Sequence, residues 1–276
     1  MAETTVGRGV FKGIIKFLAI LGAGFAALFI LKGVLAAPTA EGYRFFPVIG
    51  SRDWIWVVAQ THLNFAAFVL GVPIFAVTME FIGWRKADPR LDRIAYDFAK
   101  LFTLAYTFTA LMGAVFLVSV PLLYPKFISC MMQILGYTWW LYLCVMFAEV
   151  VICYLYFYSW NRMKEKKGLH VFLGALLNLF GVLILLITSV RVGFMTTPAG
   201  VSKTGELINR WATIHTHMWL PLSLHRFIAN IVFGAGIAAD GHPAHGRFLR
   251  MAMGHAGHAH RRDTLLHQLL PVDIAA

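Results

Sequence analysis

Six polar side chains interrupt long apolar stretches of this chain: His62, Glu80, Glu149, Arg191, His225 and Arg226. Holding such groups in hydrocarbon costs several kcal/mol, so they are where function is expected. A neutral imidazole nitrogen is a good ligand for haem iron. His62 lies about 13 Å along its apolar stretch, and His225 a similar distance along its own. Two imidazoles at comparable depth on different helices suit haem ligation, in a chain rich in Phe and Gly. Each can equally be a hydrogen-bonded packing residue. Glu149, near the centre of its stretch, is expected to relay protons or to sit protonated against a neighbouring helix. Glu80, near the end of its stretch, is a secondary candidate that can also reach headgroups. Arg191 and Arg226 are candidates to neutralise haem propionates, and Arg191 can instead snorkel. His215 and His217 are weaker candidate ligands, two residues apart and so not on one helix face.

The elements that carry these residues follow from composition. The chain has 276 residues, of which 59% are hydrophobic and 13% charged. Its mean hydropathy is +0.70. Those values exclude a soluble globular domain and a disordered chain. Six stretches, roughly 11–36, 53–84, 98–124, 134–160, 170–196 and 212–239, are long enough to cross a bilayer as helices. No strand-like alternation recurs, which argues against a β-barrel. Pro73 and Pro121 fall inside spans and are expected to be tolerated or to kink them. The fold expected is all-α and polytopic, with six transmembrane helices.

The formal net charge of +11 fits that map. Sixteen Lys and Arg residues flank alternate span ends, grouped before the first span, between the second and third, between the fourth and fifth, and after the sixth. Six lie on the opposite side. The bias places both termini in the cytoplasm, in the inner membrane, and argues against a nucleic-acid footprint. The eight Trp residues fall near span ends, where amphipathic rings prefer the interface.

The first span, with its basic start and small residues near Ala36, looks superficially like a signal peptide. Its apolar run is long for one, so residues 1–36 are expected to form an anchor helix. Cys130, Cys144 and Cys153 have no metal-type spacing and are expected to be small buried hydrophobes. Residues 241–276 hold His242, His245, His255, His258 and His260 among four Arg; they are expected to form a cytoplasmic tail, with weak metal binding as the alternative.

A family resemblance lies in these same stretches. Thr61-His62-Leu63-Asn64-Phe65, then Gly71, then Met79-Glu80 resembles the first helix of subunit I of the cytochrome bd quinol oxidases. Glu149 followed by Trp160-Asn161-Arg162-Met163 is similar to a second block of that subunit. Gly193-Phe194-Met195-Thr196-Thr197-Pro198-Ala199-Gly200 is similar to the family's Gly-Trp-Met-Gln-Asn-Pro-x-Gly. Pro221-Leu222-Ser223-Leu224-His225-Arg226 is similar to the segment that holds the low-spin haem histidine. The resemblance covers about residues 50–240, expected to form a four- to five-helix haem bundle. It implies that His62 ligates a high-spin haem, that His225 ligates the low-spin b haem, and that Glu149 belongs to the polar path toward the haem site.

The departures narrow that expectation. Leu141 stands where the family has a second glutamate. The family chain is also longer, and continues with a quinol-binding loop and further haem ligands. The missing half is expected from other membrane subunits, unless the haem set is reduced. The function expected is a membrane b-type haem subunit of a respiratory electron-transfer complex, an oxidoreductase component passing electrons to or from the quinone pool. Quinone is a candidate second cofactor. Oxygen reduction needs an open haem position and proton delivery, and Leu141 weakens the second. The alternatives are a haem-free structural or assembly subunit that keeps the fold, or a proton-coupled transporter using Glu149.

Overall fold

The structure is a computed structural model that describes residues 3–35 and 37–241. The His- and Arg-rich tail, including His242, His245, His255, His258 and His260, lies outside the described residues. Helices carry the fold. They are α1 (Glu3–Val34), α2 (Ser51–Lys86), α3 (Pro89–Leu123), α4 (Pro125–Ser159), α5 (Lys167–Thr196), α6 (Arg210–Ile214) and α7 (Trp219–Gly241). The only strand-like feature among the described residues is an isolated bridge between Val201 and Leu207. Helices up to Gly234 form one compact unit; the last turns of α7 begin a second. α2, α3, α4 and α5 are each long and apolar enough to cross a membrane. This is a multi-pass membrane protein.

The helices run past the apolar stretches at both ends, because tight turns start and stop them. Asp88 caps α3 by accepting from Arg90 N at 2.9 Å, and Pro89 fills the first position, where no backbone N–H is needed. Ala87, with φ 51°, turns the chain between α2 and α3. A single residue, Tyr124, separates α3 from α4, and Pro125 opens the latter. Pro73 and Pro121 are accommodated inside α2 and α3.

The sixth apolar stretch, 212–239, is not one helix. α6 stops at Ile214 and α7 starts at Trp219. Pro221 is the physical reason: a helix continuing through it would drive its ring into the carbonyl of His217, four residues earlier. Asn209 caps the short α6 through Trp211 N and Ala212 N. Gly193 of α5 gives the break room, since a Cβ there would lie 2.9 Å from Thr216 Oγ1. His217 therefore lies in the turn between the two helices and His215 at its edge.

Helix order around the bundle follows from close contacts at small residues. α1 lies along α4, where Gly9 faces Tyr158 and Gly13 faces Tyr154. Gly174 of α5 meets both Val77 of α2 and Tyr156 of α4. Gly71 of α2 and Gly234 of α7 meet backbone to backbone; a Cβ on Gly234 would lie 3.1 Å from Gly71 Cα. Without a side chain at either position, two helix backbones can approach this closely.

Candidate functional site

His62 projects from α2 against α3. Its Nδ1 lies 3.2 Å from the carbonyl oxygen of Thr109. A carbonyl only accepts, so Nδ1 carries the proton and Nε2 presents a lone pair. The ring stacks on Phe116, with centroids 6.2 Å apart. Gly113 leaves space for it: a Cβ there would lie 3.0 Å from His62 Cε1. A hydrogen bond from the nitrogen opposite the free lone pair is the kind that orients a metal-ligating imidazole.

His225 is exposed on α7. Its neighbour Arg226 turns inward and donates from Nη1 to Ser189 Oγ of α5 at 3.0 Å. The helix registers relate these groups. α2 and α5 are antiparallel and meet at Val77 and Gly174. His62 lies fifteen residues before Val77, and Ser189 fifteen after Gly174. His62, His225 and Arg226 therefore occupy one level of the bundle. His62 and His225 do not touch.

Arg191 lies over two rings, with Cζ 4.3 Å from the Trp139 centroid and 4.9 Å from that of Tyr142. Its Nε and Nη2 are buried without a hydrogen-bond partner, as is Trp139 Nε1. Three buried donors on two neighbouring side chains thus lack an acceptor, which fits a carboxylate-bearing group such as a haem propionate.

His215 donates from Nδ1 to Trp211 O at 3.1 Å and lies between the Trp211 and Trp219 rings. His217 is exposed. Among the described residues no three His, Cys, Asp or Glu side chains gather as a metal site. Haem ligation needs only one or two, so that finding bears on multi-ligand ions alone.

Glu149 is buried and accepts from Tyr106 of α3 at 3.0 Å. A Cβ on Gly181 of α5 would lie 3.3 Å from its Oε1. Tyr106 is one helical turn from Thr109, so the Glu149 pair lies one turn from the His62 level.

Glu80 does not reach the headgroups. It is 0% exposed and sits in a network that the sequence reading missed. Tyr156 donates to its Oε2 at 2.8 Å. His170 Nδ1 lies 2.5 Å and Lys167 Nζ 2.9 Å from its Oε1. Lys167 also pairs with Asp92 at 2.5 Å and lies 4.4 Å from the centroid of Trp160. His170 Nε2 lies 2.9 Å from Tyr156 O, so that nitrogen must donate. The Lys167–His170 spacing of three residues on one helix face was the available signal. Leu141 is exposed.

A family model described as Cytochrome bd terminal oxidase subunit I matches residues 51–245. Among solved structures, the chain is similar to one described as the structure of bd oxidase from Geobacillus thermodenitrificans, with 21% identity and a TM-score of 0.64. That similarity covers 68% of this chain and 44% of the other, and it shows the fold. No curated protein matches this chain.

Proposed function

The chain belongs to the cytochrome bd terminal oxidase subunit I family, and from that premise we propose that it is a membrane b-type haem subunit of a respiratory electron-transfer complex. It passes electrons to or from the quinone pool. The observation that carries this reading is His62: its Nδ1 is committed to Thr109 O, which leaves Nε2 as an iron ligand. Haem would supply one-electron chemistry there, at a potential set by ligand, hydrogen bonding and burial.

The residues present fit that group. His62 is held by Thr109, Gly113 and Phe116. His225, level with it on the exposed side of α7, ligates a second haem. Arg191 and Arg226 balance carboxylate charge. His215, between two indoles with Nε2 uncommitted, is a further ligand candidate, and His217 beside it a weaker one. Glu149 with Tyr106 holds a proton one turn away, and Glu80 anchors charge at the far end. The haem bundle spans residues 50–240, with residues 1–36 as an anchor and 241–276 as a tail.

The chain spans less than half the length of the solved bd oxidase chain it resembles. Other membrane subunits are its partners, and α7, with exposed Leu224, His225 and Ile228, faces them. The excess of Lys and Arg at the α2–α3 and α4–α5 turns puts that end, and both termini, in the cytoplasm, and the chain in the inner membrane.

The reduced-minus-oxidised visible spectrum of the purified protein tests the proposal. We expect b-type bands, with the low-spin component lost in His225→Ala. Absence of any b-type band sinks the haem reading. The packed, hydrogen-bonded state of His62 would then favour a haem-free structural subunit.

A further inference from the structure

The buried network around Glu80 and the Glu149–Tyr106 pair share helices α3, α4 and α5, and one orphaned atom lies between them. Tyr156 and Glu149 are seven residues apart on α4, so about 10 Å along its axis. Opposite them on α5, Gly174 meets Tyr156 and Gly181 meets Glu149. Asn178 falls between those two glycines, on the same helix face. Its Oδ1 is buried and has no hydrogen-bond partner. A buried amide oxygen is nearly always satisfied by protein or by ordered water.

The far end of this line reaches the surface. Asp92 is 33% exposed and Lys167 11%, whereas Glu80 and His170 are fully buried. His170 donates from Nε2 to Tyr156 O whatever its charge. One further proton therefore lies between its Nδ1 and Glu80 Oε1, 2.5 Å apart. With that proton, Glu80, Asp92, Lys167 and His170 balance two negative charges against two positive.

We propose that the Glu80–His170 pair is the donor end of a proton route to Glu149, bridged by water held at Asn178. The proton leaves the shared Nδ1–Oε1 position, passes through water at Asn178 Oδ1 and arrives on a Glu149 carboxylate oxygen. A proton entering from the Asp92–Lys167 surface restores the pair. The route builds on the proton-holding role given to Glu149 above, but needs no haem.

Infrared spectroscopy of the full chain in lipid nanodiscs, transferred from H2O to D2O, tests it. The protonated-carboxyl band that Glu149→Gln removes is followed in time. Asn178→Leu is isosteric and breaks no protein hydrogen bond, so it should fold. We expect it to slow exchange of that band about a hundredfold, the lower end of what a positioned proton carrier contributes. His170→Gln should slow it comparably, with far-ultraviolet circular dichroism confirming its helix content. Unchanged exchange in Asn178→Leu overturns the route. So does the lack of any band assignable to Glu149, because a group that never holds a proton cannot end one. A chain without b-type bands that still shows these rates would refute the haem function and leave the route standing.

Discussion

His62 on α2 is fixed by the backbone of Thr109 on α3, at 3.2 Å, rather than by another side chain. A backbone carbonyl cannot be removed by substitution, so the ring's orientation is best perturbed through its packing. A Cβ on Gly113 would lie 3.0 Å from His62 Cε1. We expect Gly113→Ala to preserve the fold while shifting the band positions or midpoint potential of one haem component. Redox titration of the visible spectrum checks it. His62→Ala should remove that component; identical spectra in both variants would show that His62 holds no iron.

Tyr106 donates to Glu149 across the α3–α4 interface, and both groups are buried. Tyr106→Phe leaves the carboxyl without its partner, at a cost of about 1–3 kcal/mol. Thermal unfolding in detergent should show a lowered midpoint. An unchanged midpoint would mean that water replaces the tyrosine.

Lys167 bridges Glu80 and Asp92 at 2.9 and 2.5 Å. Lys167→Met removes the shared partner of two carboxylates, but Asp92 is 33% exposed and Glu80 keeps His170 beside it, so the cost should fall below the about 3–5 kcal/mol of a fully buried pair. Adding Glu80→Gln should recover part of that loss. A double-mutant cycle on unfolding free energies measures the coupling, and strict additivity would deny it.

These three cases mark how far the sequence was legible. The apolar stretches named the long helices, because a bilayer-length run has few other solutions. The break at His215–Met218 was written in Pro221, a signal that hydropathy alone overlooks. The Glu80 network was invisible because His170 and Lys167 lie at the start of their stretch, where charge looks interfacial. Their burial depends on Tyr156 and Trp160, which only the folded α4 brings over them. For His62 the residue type and its place within an apolar helix were readable, whereas the Thr109 carbonyl that sets its tautomer was not.

Gly71 and Gly234 bring α2 and α7 into backbone contact nine residues beyond His62 and His225, respectively. Gly71→Leu would push the helices apart at that point. We expect the component assigned to His225 to be diminished or shifted more than that of His62, which α3 holds independently. Equal loss of both would show that α7 does not dock on its own account.

Arg191 presents Nε and Nη2, and Trp139 its Nε1, as buried donors without acceptors. The two rings under the guanidinium hold it in place by cation–π contact. A carboxylate bound there gains hydrogen bonds to a charged group, each worth about 1.5–3 kcal/mol. Taking away the positive charge favours the oxidised, more positive state of a nearby haem, so Arg191→Leu should lower its midpoint potential. Arg191→Lys keeps the charge but loses the planar fork that stacks on both rings. It should restore only part of the potential. Potentiometric titration of the three proteins separates the cases. An unchanged midpoint in Arg191→Leu would show that no haem carboxylate lies at these donors.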